Sequence, residues 1–179
     1  MASQTTTLAG GCFWCIESAF NQVEGVISAY SGYAGGQTEN PSYEQVCAGN
    51  TGHTEVVQIT FDDEQISFRD ILEIFFALHN PTQLNRQGND TGTQYRNGIF
   101  YHDEQQRQQA EAIVVEIEEL KIWPDPLVTE ITAINNYYQA EDYHQDYFNN
   151  NPQNQYCNMV VAPKLAKFKQ KFASKLKTS

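Results

Sequence analysis

The hydrophobic and polar positions of this chain fall into short stretches of strand or helix period, separated by turn residues. Thr5-Thr6-Thr7-Leu8-Ala9 is rich in β-branched residues and ends at Gly10-Gly11, which predicts a strand and then a sharp turn. A helix begins near Cys12, with Ile16, Ala19, Phe20 and Val23 on one apolar stripe, and stops near Gly25. Val26-Ile27-Ser28-Ala29-Tyr30 reads as a second strand. Tyr33 to Gly52 reads as a loop, and a loop of about 20 residues is uncommon in a compact domain unless it has a function. From Glu55 to Phe61, Val57, Ile59 and Phe61 alternate with Val56, Gln58 and Thr60, as in a largely buried strand. Ser67 caps a helix whose buried face is Phe68, Ile71, Leu72, Phe75 and Phe76, closing before Asn80-Pro81.

Residues 81–98 form a second polar loop. Ile99-Phe100-Tyr101 is a short strand, and Asp103 caps a helix carrying Ala110, Ile113, Val114 and Ile117 to about Lys121. Val128 to Ile134 alternates like an edge strand. Leu165, Phe168, Phe172 and Leu176 make a helical apolar stripe that docks the C-terminus. The order β-α-β-β-α-β predicts an α+β fold: a ferredoxin-like two-layer core, with helices packed on a mixed or antiparallel sheet, long loops and a C-terminal helix. Residues 1–179 read as a single domain, with a Lys-rich amphipathic helix appended over 162–177.

Composition narrows the partners. Hydrophobic residues at 40% and aromatics at 12% supply a core, which excludes wholesale disorder. A net charge of −11 argues against nucleic acid, which requires a basic face. Six of the eleven basic residues, and no acid, fall in 164–179, where a solvated helix beside an acidic body is the simpler reading than a membrane-surface helix. No run approaches the ~18 apolar residues of a membrane span, and Met1-Ala2-Ser3-Gln4 shows no export signal. The expectation is a soluble, cytoplasmic monomer.

Four cysteines in such a chain point to redox or metal chemistry. A thiol becomes a nucleophile as the thiolate, which a helix N-terminus stabilises through its unpaired N–H groups and dipole. Cys12 follows the glycine pair at the expected helix start, and Cys15 returns to the same face three residues later. Phe13 and Trp14 between them are either plain core or an apolar slot beside the sulfur. Zinc is the rival, since CxxC is half a zinc site, but Cys47 and His53 do not complete it at a standard spacing. No metal is expected.

Gly11-Cys12-Phe13-Trp14, Ser31-Gly32-Tyr33-Ala34-Gly35-Gly36, Asn40-Pro41-Ser42-Tyr43, Gly52-His53-Thr54-Glu55, Gln87-Gly88-Asn89-Asp90, Gly92-Thr93-Gln94-Tyr95-Arg96 and Ala140-Glu141-Asp142-Tyr143-His144-Gln145 stand in one order along the chain. Together they resemble peptide methionine sulfoxide reductase, type A. The resemblance implies reduction of the S epimer of methionine sulfoxide, free or in proteins, by attack of Cys12 on the sulfoxide sulfur. It implies Glu55 as the acid that protonates the oxygen, a role that a carboxyl in an apolar pocket suits. It makes Tyr43 and Tyr95 the phenols that hold the oxygen, Asp90 a carboxylate assisting through water, and Phe13 and Trp14 the methyl-binding wall.

The chain departs from the family pattern where it recycles. Many members have Gly at the position of Cys15 and resolve with cysteines in a glycine-rich tail. Here Cys15 is tethered beside the nucleophile and reads as the first resolver, with Cys157 as the second. By the same resemblance Cys47 is a buried cysteine without a resolving role, and His53, His79, His102 and His144 are structural. Tyr138 and the 140–145 block are scaffold. No cofactor is implied, only an external dithiol such as thioredoxin. Two other readings stand beside this one: a thioredoxin-like dithiol oxidoreductase built on Cys12 and Cys15, and a zinc-binding module using Cys12, Cys15, Cys47 and His53.

Overall fold

The computed structural model describes residues 3–10, 13–49, 51–79, 81–83, 85–87, 90–121, 123–134, 136–145, 154 and 162–172. Cys12, Cys157 and Leu176 therefore lie outside the described residues.

The chain opens with strand β1 (Ser3–Ala9) and continues into helix α1 (Phe13–Asn21). Ile16, Ala19 and Phe20 lie on the inner face of α1 and are buried, as their spacing requires. The chain reverses at Gly25, whose φ of +94° suits glycine, and a Cβ there would lie 2.7 Å from Ile66. Strand β2 (Val26–Ala34) follows, then a short helix α2 (Tyr43–Cys47) and strand β3 (Thr54–Asp62).

Helix α3 (Phe68–Leu78) starts at Ser67, whose hydroxyl accepts the Asp70 N–H. A small hairpin pairs β4 (Arg86–Gln87) with β5 (Asp90–Thr91), and a 3₁₀ turn covers Thr93–Tyr95 before strand β6 (Gly98–Tyr101). Helix α4 (Glu104–Glu119) is capped by Asp103, whose carboxylate accepts the Gln106 N–H. Strands β7 (Glu130–Ala133) and β8 (Tyr137–Gln139) and helix α5 (Ala162–Lys171) complete the described elements.

Six strands form one sheet in the order β7-β6-β1-β3-β2-β8. Neighbours are antiparallel except β6 and β7, which run parallel. The middle four, β6-β1-β3-β2, have the split β-α-β arrangement expected of a ferredoxin-like core. Leu8, Val57, Ile59 and Phe61 of the sheet join Ile16 and Phe20 of α1, Ile71, Leu72 and Phe75 of α3, and Ile113 of α4 in one buried cluster. Leu165, Phe168 and Phe172 enter the same cluster, so α5 packs its apolar stripe onto α1 and α3. A smaller cluster of Ala9, Ala34, Val56 and Phe100 is covered by Ile134 and Tyr137. No helix among the described residues is long and apolar enough to cross a membrane.

The first long loop is more ordered than its composition suggested. Tyr33 and Ala34 finish β2, and α2 occupies Tyr43–Cys47. Ser42 and Gln45 form a capping box: the Ser42 hydroxyl accepts the Gln45 N–H, and the Gln45 side chain accepts the Ser42 N–H. His53 staples the remainder, accepting the Gly36 N–H on Nδ1 and reaching the Thr38 carbonyl with Nε2 at 2.7 Å. A side chain on Gly36 would put its Cβ 2.3 Å from the His53 main-chain nitrogen, so glycine is required there. The short strand β8 was not anticipated from the sequence; it pairs with the end of β2 and carries Tyr138, whose ring meets His53 edge-on.

Candidate active site

The site forms where the start of α1 meets the start of β3. Glu55 faces inward there and is only 1% exposed. Its Oε1 accepts the main-chain N–H of Phe13 at 3.2 Å, in a buried environment. That N–H belongs to the first residue of α1, one of the groups a helix leaves without an internal partner. Strand register places Tyr33 opposite Glu55 on the neighbouring strand. Both side chains therefore share the face on which α1 packs, and the Phe13 ring lies 5.7 Å from Tyr33.

An aromatic wall stands beside this carboxyl. Phe13 is 6.4 Å from Tyr43 and 5.3 Å from His144, centre to centre. His144 lies 4.3 Å from Tyr43 and 5.8 Å from Trp14. The Trp14 indole N–H donates to His144 Nδ1 at 3.1 Å. Phe13 is fully buried and Trp14 half-buried, so Trp14 is the member of the pair with an accessible surface.

Tyr43 comes from α2 and is fixed at its main chain. Its N–H donates to Glu141 Oε2 at 3.0 Å, while Glu141 Oε1 accepts the Tyr33 hydroxyl at 3.0 Å. One carboxylate thus ties the start of α2 to β2. Burial raises the Glu141 carboxyl's affinity for protons, but the hydrogen bonds from Tyr43 and Tyr33 outweigh it and hold the group below the ordinary carboxylate range. The Tyr43 phenol is pushed far up, first by burial and then by the charge of Glu55, with Cys47 and Tyr95 contributing. It is therefore a neutral hydroxyl at any physiological pH.

Cys47, one turn along α2, hydrogen-bonds with Tyr43, and burial raises its thiol pKa. It is half-buried rather than enclosed, a correction to the expectation from sequence.

Tyr95 reaches the site on the 3₁₀ turn. The Thr54 hydroxyl is shared between the Gln94 carbonyl at 2.9 Å and the Arg96 carbonyl at 3.1 Å, the residues on either side of Tyr95. Thr54 adjoins Glu55, so the turn is pinned to the strand that carries the acid. For Asp90 the structure gives the main chain, in β5 just before this turn, and not the side chain. Cys15 is 3% exposed, within the α1 face that enters the core.

The fold thus gathers Phe13, Trp14, Tyr43, Glu55 and Tyr95, separated by up to 82 residues, around the residue position next to Cys12. His144 and Glu141, taken from sequence as scaffold, belong to this constellation through direct bonds to Trp14, Tyr33 and Tyr43. No local pattern marked them, because their partners lie far away in sequence. His53 has both ring nitrogens committed to main-chain groups, so it offers no ligand to the zinc-binding reading.

A family model described as peptide methionine sulfoxide reductase matches residues 4–176. The chain is 57% identical over 171 residues to the peptide methionine sulfoxide reductase MsrA of Polynucleobacter asymbioticus, covering 96% of this chain and 90% of that protein. Its fold is similar to methionine sulfoxide reductase A of Corynebacterium diphtheriae, with a TM-score of 0.81 at 38% identity over 85% of this chain and 76% of the other. It is also similar to Mxr1 of Saccharomyces cerevisiae in complex with Trx2, with a TM-score of 0.56 at 25% identity over 81% and 84% of the two chains.

Proposed function

This chain belongs to the peptide methionine sulfoxide reductase family, and we propose that it reduces the S epimer of methionine sulfoxide, free or within proteins, with Cys12 as the nucleophile. The observation that supports this most directly is the bond from the Phe13 amide to Glu55, which seats a buried carboxyl one residue from Cys12.

The chemistry follows from what each group can supply. A thiolate at position 12 gains from the start of α1. Its sulfur attacks the sulfoxide sulfur, and the oxygen needs a proton before it can leave. Glu55, enclosed and bonded to the residue after Cys12, is the donor assigned to that proton. The Tyr43 and Tyr95 hydroxyls steady the oxygen, and Tyr43 stays a donor because its proton is held so tightly. Asp90 assists through water, while Phe13 and Trp14 wall the substrate methyl group. The oxygen passes to Cys12 as a sulfenic acid and methionine departs, a two-electron oxidation of the thiol matched by reduction of the sulfoxide.

Recovery needs a second thiol. Cys15 attacks the sulfenic sulfur, water leaves, and a Cys12–Cys15 disulfide closes; Cys157 is the second resolver. An external dithiol then reduces the disulfide, so no bound cofactor enters the cycle. The complex of the related Mxr1 with Trx2 supports thioredoxin as that donor. Thiol recycling of this kind suits the reducing cytoplasm. We read residues 1–179 as one reductase domain acting as a monomer, with 162–177 appended, and without a nucleic-acid or membrane partner.

The reading is tested by supplying each epimer of methionine sulfoxide together with a dithiol. The S epimer should be consumed and the R epimer should remain. Consumption of neither epimer, or of the R epimer alone, contradicts it.

A further inference from the structure

We propose that His144 is a positioning residue that sets the orientation of Trp14, and through it the grip on the substrate's methyl group. The inference rests on the reading of Trp14 as part of the methyl-binding wall.

His144 is 1% exposed, and its Nδ1 accepts the Trp14 indole N–H at 3.1 Å. That bond requires Nδ1 to be without a proton, so the neutral ring carries its hydrogen on Nε2. The imidazole is also packed against Tyr43 and Phe13, at 4.3 and 5.3 Å. A single ring thus touches all three aromatic side chains of the wall.

The direction of the effect follows from what holds each partner. His144 sits on a 3₁₀ turn, Asp142–His144, that is anchored on both sides without help from Trp14. Before it, Glu141 binds the Tyr33 hydroxyl and the Tyr43 N–H. After it, the Gln145 side chain accepts the Ser31 N–H at 2.9 Å and donates to the Ser31 carbonyl at 2.9 Å. The Ala140 N–H donates to the same carbonyl. The turn is fastened to β2 on either side of the histidine, whereas Trp14 is half-buried on the first turn of α1. The fixed group is the imidazole, and the group it orients is the indole.

Two substitutions separate the hydrogen bond from the packing. His144→Phe keeps an aromatic ring but removes the acceptor, and His144→Asn places an amide oxygen near the position of Nδ1. For the S epimer of methionine sulfoxide, His144→Phe should raise KM about three- to tenfold, the worth of one lost hydrogen bond, with kcat changed less. His144→Asn should recover most of that loss. Trp14→Phe, which removes the donor instead, should raise KM comparably, and adding His144→Phe to it should cost little more.

A readout independent of turnover is the emission of Trp14 in a Trp123→Phe background, where it is the remaining tryptophan. That emission should shift in His144→Phe and return in His144→Asn. An unchanged KM and emission in His144→Phe, an equal loss in the Asn variant, or a full additional loss on top of Trp14→Phe would each overturn the proposal. Failure of the unaltered protein to reduce the S epimer would instead overturn the reading of the activity, while the emission experiment would still decide the contact.

Discussion

The main-chain N–H of Phe13 and the carboxyl of Glu55 meet at 3.2 Å across 42 residues of sequence. This bond joins the start of α1 to the start of β3, and it holds the Glu55 carboxyl against the first residue of the helix. In the proposed mechanism this one contact holds the acid beside the start of α1.

If that contact both places and holds the acid, its two roles separate on substitution. Glu55→Gln keeps an oxygen for the Phe13 N–H but has no proton to give. It should fold normally and lose about 10² to 10⁴ in kcat/KM for methionine sulfoxide. Glu55→Ala should lose activity as well and be destabilised by about 1–3 kcal/mol, because a buried N–H is left unpaired. Chemical denaturation of the two variants measures the difference. Wild-type turnover in Glu55→Gln would remove Glu55 from the mechanism.

Glu141 should make stability depend on acid. Its carboxyl is held below the ordinary range, so the unfolded chain binds its proton more readily than the folded one. The stabilisation is present above the unfolded value, near 4.3, and is lost as pH falls through the lower folded value. Glu141→Gln should lower stability by about 1–2 kcal/mol near neutrality, since the amide oxygen can still accept the Tyr43 N–H, now as a neutral bond, while the NH2 cannot accept the Tyr33 hydroxyl. It should also flatten the decline in Tm on acidification. A Tm-against-pH curve that keeps its slope in the variant contradicts the assignment.

The resolving step is open to mass mapping. After one turnover without external reductant, peptides should be linked through Cys12 and Cys15. Cys15→Ser should still release about one methionine per protein in the first turnover. It should then recycle slowly through Cys157. A Cys12–Cys157 link alone in the unaltered protein would reverse the order of resolvers.

The sequence and the structure agree most closely where local pattern and buried face coincide. The stripes of α1 and α3, and the alternation in β3, needed no partner to be read. Helix α2 was read as loop: the turn residues around it hid five helical positions, although Ser42 and Gln45 form a capping box. Glu55, Tyr43 and Tyr95 emerged from motif order rather than from physics: each is a polar residue near an element's end, ordinarily solvated. What could not be read was the part of His144 and Glu141. Their partners Trp14, Tyr33 and Tyr43 lie 98 to 130 residues away, and nothing in the local sequence distinguishes such a bond from plain scaffold.

The account stands or falls on Cys12. The direct measurement is a single turnover: excess protein is mixed with the S epimer of methionine sulfoxide without external reductant, and methionine is quantified alongside oxidation at Cys12. The unaltered protein should form methionine in step with a sulfenic acid or disulfide at Cys12, and Cys12→Ser should form none. Methionine appearing at the normal rate in the Cys12→Ser protein would contradict the account.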